Sequence, residues 1–347
     1  MKAMILKEFR QLRRDRRTLA MLIALPLVLL VVFGYAARFD IADIRTAVVG
    51  PGASGVEAML AEPFDVVRVE PEGTAEDARD LLRDNAASIA VVTGPERIVY
   101  VDGADLFTAQ SALRRGSDLP IEDVRIEILF NPDLSTSAVM VPGLVGLVLL
   151  AMGTIITSLG VVRERQDGTL EQLAVMPLRS RDVIIGKITP YFLIGVIDLT
   201  VITFVGLTVF DVPFRGSVLV YAAGSFIFLL TVLGIGVLIS TVSQTQAEAI
   251  QLAIMMMLPQ VLLSGLIFPL TSMPIGVRWI SYGLPLTYFV MIVRGVFLKA
   301  TPFDALGFPF IALVIMAAIV FGLAMLRFRR LLSATSAERS EPEEAAA

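Results

Sequence analysis

Six long apolar runs constrain this chain more than any other feature in it. A bilayer's hydrocarbon core is about 30 Å thick and takes roughly 20 apolar residues of α-helix to cross. The runs at 19–37, 139–162, 188–210, 217–240, 249–270 and 305–326 meet that length. With 56% hydrophobic and only 18% charged residues among 347, the sequence reads as a polytopic α-helical membrane protein with six transmembrane helices. A further apolar stretch, 271–299, is cut by Pro274 and Pro285 and carries Arg278, Arg294 and Lys299. Its pieces are too short to cross alone. It reads as a re-entrant or outer interfacial segment, which requires protein or a water-filled cavity over the broken backbone.

Cysteine and histidine are both absent. That removes thiol nucleophiles, disulfides, Cys/His zinc sites and Ser-His-Asp triads. The net charge of −4 conceals an uneven spread: residues 38–137 hold 9 basic and 19 acidic residues, and the first 18 residues hold 7 and 2. No basic domain dominates, so nucleic acid is not an expected partner.

Basic residues in short loops set orientation. Lys2, Lys7, Arg10, Arg13, Arg14, Arg16 and Arg17 precede the first run. Arg163, Arg165, Arg179, Arg181 and Lys187 separate the second from the third, and Arg327, Arg329 and Arg330 open the tail 327–347. Both termini are therefore expected in the cytoplasm and 38–137 outside, and six crossings give the same parity. Residues 1–18 place Met4, Ile5, Phe9 and Leu12 near one helical face, which suits an interface helix on an anionic leaflet as well as a plain topogenic cluster. Gly34-Tyr35-Ala36 could follow a signal peptide, but the first run exceeds the roughly 7–15 apolar residues of a signal and is expected to stay as an anchor.

Within the insert, RTAVVG, FDVVRV, SIAVVTG and RIVYVDG read as strands and GVEAMLAE and TAEDARDLLRDN as helices, the latter with Thr74 and Asp77 as a capping pair. The alternation predicts a small α/β extracytoplasmic domain inserted after the first helix. Its carboxylates lack metal-loop spacing and read as a solvated acidic face.

The loop 163–187, within VVRERQDGTLEQLAVMPLRSRDVIIGKITPY, holds a two-turn amphipathic helix. Asp167-Gly168 turns the chain, Thr169 and Gln172 form a capping box, Leu170, Leu173, Ala174 and Met176 are its apolar contacts, and Pro177 ends it. That apolar face needs a partner. The residues alone leave two open: the N-terminal interface helix of the same chain, or a cytoplasmic protein.

ERQDGTLEQLAVMPL followed by GK and a span is joined by NPDLSTSAVMVPGL entering the second span and LPQVLLSGLIFPLTSMP ending the fifth. ISYGLPLTYFVMIVRGVFLK precedes the last. In this order the chain resembles, over essentially its whole length, the permease subunits of type-2 ABC exporters (the ABC-2 membrane family), and among them bacterial multidrug-type permeases with an external domain. The resemblance implies export of hydrophobic or amphipathic molecules by alternating access from a bacterial inner membrane. It implies a second permease copy, identical or paralogous, and two copies of an ABC ATPase subunit. Residues 168–177 would be the coupling helix, with Gly168, Thr169, Leu170, Glu171, Gln172, Leu173 and Pro177 meeting the ATPase and Glu171 as the polar contact. A P-loop needs G-x-x-x-x-G-K-[ST]. Gly186-Lys187 is followed by Ile188 and lacks the earlier glycine. No catalysis and no cofactor are expected in this chain; ATP and Mg²⁺ would bind the partner.

Asp198 falls midway along the third run, where a carboxylate is costly unless it faces the bundle interior and is paired or protonated. It reads either as a structural group hydrogen-bonded between helices to Ser, Thr or Gln or as the leading candidate for a transport pathway, with Thr154, Thr157, Gln251 and Gln260 behind it; the resemblance adds weight to Gln260, since spans two and five line the family's central path. Glu248 reads instead as stabilising a helix N-terminus, and Met255, Met256 and Met257 as lipid-facing packing. Trp279, Tyr282 and Tyr288 suit an outer interface belt. Two other functions compete. An ion- or proton-coupled secondary transporter would use Asp198 but favours matched breaks in two repeats, and only 274–285 is broken. A non-transporting anchor for an external domain needs no loop helix.

Overall fold

The computed structural model describes residues 44–95, 97–114, 124–167 and 180–344. The basic segment 1–18, the first apolar run and the coupling residues Gly168, Thr169, Leu170, Glu171, Gln172, Leu173 and Pro177 lie outside the described residues.

Residues 44–129 form an α/β unit: β1 (Ile44–Val49), α1 (Ala53–Glu57), β2 (Phe64–Glu70), α2 (Ala75–Arg83), β3 (Ile89–Val92), β4 (Ile98–Asp102), α3 (Leu106–Arg114) and β5 (Arg125–Leu129). The sheet order is β2-β1-β3-β4-β5, antiparallel only between β3 and β4. Strands buried on both faces read as near-continuous Val/Ile/Ala runs, and those of β1 and β3 do. Ile44, Val48, Ile89 and Val101 pack on one face with Ala109 and Ala112 of α3. Ala47, Val49, Ala90 and Tyr100 pack on the other with Ala78 and Leu82 of α2. A capping box starts α2: Thr74 N–H donates to Asp77 Oδ2 at 2.7 Å and Asp77 N–H donates to Thr74 Oγ1 at 3.4 Å. Those bonds, the backbone one first, hold the Asp77 carboxyl below the usual carboxylate range.

The chain then becomes helical: α4 (Thr136–Gln166), α5 (Ser180–Val209), α6 (Val218–Val242), α7 (Gln246–Leu263), α8 (Ile275–Ser281), α9 (Pro285–Arg294, continued by a π turn through Lys299) and α10 (Gly307–Glu344). Among the described residues five helices are long and apolar enough to cross a membrane, and six spans result if the bent α8–α9 pair counts as one. The molecule is a polytopic helical membrane protein. α6 is its centre, with 67% of its spanning window buried. It crosses α4 at small residues: a Cβ on Gly236 would lie 2.8 Å from Thr157 Cβ and 3.0 Å from the Thr154 carbonyl oxygen. Glycine there permits the close approach that drives helix packing in lipid.

α7 begins at Thr245, whose Oγ1 accepts from Glu248 N–H, while the Glu248 carboxylate accepts from Gln244 N–H at 2.7 Å. Glu248 thus stabilises a helix start, as its position implies. The helix is shorter than the apolar run 249–270 because Gly265, at φ +85°, turns the chain after Leu263. α8 and α9 begin at Pro274 and Pro285 and meet at 84°.

Two poles result. The 31 residues of α4 span about 46 Å at 1.5 Å per residue, starting beside the sheet, where Asn131 Nδ2 donates to Gly103 O. At its far end Gln166 accepts from Gln246 of α7. α5 returns to the sheet pole, where Arg215 donates to Phe130 O at 3.1 Å. The carboxyl end of α4 and the amino end of α5 therefore both lie remote from the sheet.

Candidate functional site: a junction and a crevice

Polar side chains gather in two places. The first is the seam between the α/β unit and α9. Lys299, 5% exposed, donates to Leu82 O at 3.0 Å, to Asn85 Oδ1 at 2.5 Å and to Asp102 Oδ2. An ammonium has three donors and no acceptor, so all its hydrogens are matched. Asp102, equally buried, also accepts from Ala104 N–H at 3.0 Å. Burial pushes its carboxyl above the usual range, against the pull of the Lys299 charge and of these hydrogen bonds. Thr301 Oγ1 donates to Arg83 O beside it.

Buried backbone groups at helix breaks need partners, and the basic residues of 271–299 supply them. Arg278 donates to the carbonyls of Leu270 and Thr271 at 2.9 Å, and Arg294 to Leu266 O at 3.0 Å. Arg215 also reaches Leu298 O. These cations read in the sequence as interruptions of an apolar stretch. Nothing in the linear pattern pointed to Asp102, which lies 197 residues from Lys299. A lysine ending an apolar run in a chain with an acidic insert was the only available hint.

The second place lies between α4, α5 and α6. Asp198 is half-buried and lines a crevice with Thr157, Tyr191, Gly195 and Leu229. Gly195 admits Leu229 at the α5–α6 crossing, since its Cβ would come 2.7 Å from the leucine Cδ1. Among the described residues Asp198 makes no hydrogen bond or ion pair, and the buried Thr157 Oγ1 has no partner. Thr154 donates to Leu150 O in its own helix.

The structure therefore brings Asp198 and Thr157 together and leaves the two glutamines elsewhere. Gln251 is partly buried on α7. Gln260 is inaccessible; its Oε1 accepts from Leu286 N–H at 3.4 Å, one of the orphan donors of the first turn of α9. Trp279 is exposed and meets Tyr282 edge-on, with ring centroids 6.3 Å apart.

Residues 16–326 match the model of the ABC-2 family transporter protein, and the chain belongs to that family. It is the membrane subunit of an ABC transporter. Among curated relatives, "Probable multidrug ABC transporter permease YbhS" of Escherichia coli is 29% identical, the alignment covering 95% of this chain and 97% of that one. "Probable multidrug ABC transporter permease YbhR" of the same bacterium is 27% identical over 94% and 97%. "ABC transporter G family member 20" of Dictyostelium discoideum is 30% identical over 52% of this chain and 25% of its own length.

Proposed function

We propose that this permease exports hydrophobic or amphipathic molecules by alternating access, in a pair of permease chains driven by two copies of a separate ABC ATPase. The α/β unit would face outward, the termini and residues 163–187 the cytoplasm, and the membrane would be a bacterial inner membrane. The observation that carries this reading is the separation of the two poles. The sheet sits at one end of α4, and Gln166, the last residue of α4 and close in sequence to Leu170 and Glu171, sits at the other. ATP binding on the loop side would move α4 and α5 as levers, and the crevice of Asp198 and Thr157 lies between those helices. Relatives named as probable multidrug permeases support the substrate class.

The decisive test is Leu170→Asp, which puts a charge on the apolar face of the loop helix. The protein should still insert in the membrane, while co-purification with its ATPase and transport-stimulated hydrolysis fall to background. Wild-type pull-down and stimulation by that variant would overturn the assignment.

A further inference from the structure

α5 and α6 meet at Gly195, where Leu229 packs, and beside it the Phe192 and Phe226 rings lie edge-on with centroids 5.1 Å apart. From there toward the sheet pole a cavity of about 500 Å³ opens between the two helices. Its walls repeat at helical spacing, with Leu199, Thr203 and Leu207 on α5 and Val218, Ala222 and Phe226 on α6. Phe214 of the connecting segment lines the sheet end, edge-on to Tyr221 with centroids 5.9 Å apart. The lining runs over 196–207 of one helix and 218–229 of the other, about 17 Å at 1.5 Å per residue. That is about half of a 30 Å hydrocarbon core, the depth of one leaflet.

Among the described residues no charged side chain lines this groove. Its hydroxyls are engaged within the protein: Thr200 donates to Val196 O at 2.7 Å, and Thr203 and Tyr221 share a hydrogen bond at 2.6 Å. The Ser225 hydroxyl is buried and is not presented to the space. Water settles in a cavity that gives it two to four polar partners, and this one is apolar. Spread over its length, the volume gives a channel about 6 Å across. An α-helix is about 10–12 Å wide and does not fit. One hydrocarbon chain does, since its carbons need only about 4 Å from their neighbours. The rim residues Phe204, Val218 and Phe226 are exposed, and α5 has the least buried spanning window of the five, so the groove opens on lipid.

We propose that this groove binds one acyl chain of a membrane phospholipid, held lengthwise in the leaflet on the sheet side with its end at the Gly195–Leu229 contact. The bilayer is the source, because the groove is open to lipid over one leaflet's depth and offers no group that would select a polar cargo. A seated chain restores the dispersion contacts that an empty wedge between the helices would forfeit. The site does not depend on the export reading, and binding is measured without nucleotide, so its failure leaves the Leu170→Asp result untouched.

The test uses the permease with its ATPase in phosphatidylcholine nanodiscs that contain a trace of phosphatidylcholine with a diazirine midway along its acyl chain. After irradiation, peptide mass spectrometry should find several-fold more lipid adduct on 203–207 and 222–226 than on 311–319 of α10, which exposes Ile311, Ile315 and Ile319 but lines no part of the groove. Ala222→Phe and Thr200→Phe, both at exposed lining positions, fill the groove from opposite walls. Each should bring the groove peptides down to the α10 level while labelling of 311–319 stays unchanged. Equal labelling of the groove and α10 in the wild type would overturn the site, as would an excess that survives both substitutions. Groove labelling below that of α10 would mean that a protein segment covers it, and would overturn the lipid as its occupant.

Discussion

At the junction, Lys299 and Asp102 are each 5% exposed and every hydrogen of the ammonium has an acceptor. In the crevice, Asp198 is half-buried and Thr157 Oγ1 is buried, and neither has a partner among the described residues. A fully satisfied buried network has one low-energy geometry, and disturbing it leaves an uncompensated charge. A carboxylate with no partner among the described residues is free to change its solvation or contacts as helices move. The first arrangement suits a fixed joint between the α/β unit and the α8–α9 pair; the second suits a group that works by changing.

The comparison breaks hardest at Lys299. Lys299→Met leaves Asp102 buried and unpaired and should destabilise the protein by about 3–5 kcal/mol, read by thermal unfolding in detergent. Lys299→Met with Asp102→Leu should recover most of that loss, because an apolar pair removes both desolvation penalties. The pH dependence has a definite sign. The folded-state pKa of Asp102 is raised, so its contribution to stability is fully present below the ordinary carboxylate pKa of about 3.9 and is lost as pH rises through the folded value. Without Lys299 that rise is larger, and the single variant should be least impaired in acid. Equal losses at neutral and acid pH would argue against the ion pair as the source. A smaller effect is expected at the edge of the same joint: Thr301→Val removes the bond to Arg83 O and should cost about 1 kcal/mol. Local hydrogen exchange at the carboxyl end of α2 should rise in that variant.

How much of this was legible in the sequence depends on how local the cause is. A span needs only length and apolarity, and the five apolar runs within the described residues each overlap a long helix, although α7 ends at Leu263, before its run does. Which neighbour each helix has is a different matter. α5 and α6 are about equally apolar, yet 6% of one spanning window is buried against 67% of the other. The difference lies in small residues. Gly224, Gly234 and Gly236 of α6 admit Ile292, Val320 and α4, while α5 presents Leu193, Ile197, Val201 and Phe204 outward. The first four strands were readable from their Val and Ile runs. Helix α3, LFTAQSALR, and strand β5, RIEIL, were not, because the first buries mostly small residues and the second is half-exposed at a sheet edge. The junction was least legible of all, since a pair 197 residues apart leaves no periodicity. For Asp198 the sequence reading expected a partner or a proton, and the described residues contain no partner.

That contrast gives the smallest expected change in stability and the most informative one. Asp198→Asn keeps the size of the side chain and removes no bond among the described residues. The melting temperature should therefore move by no more than about 0.5 kcal/mol implies, the usual range for a substitution away from any network. If the proposed function holds and the crevice is where the helices respond to cargo, cargo-stimulated ATP hydrolysis by the assembled transporter should fall several-fold while basal hydrolysis persists. Thr157→Val, which removes a hydroxyl with no partner, should be neutral or slightly stabilising and should lower stimulation less. A large loss of stability in Asp198→Asn would mean that the carboxylate holds the bundle together, and the crevice would then be a second joint like the one at Lys299.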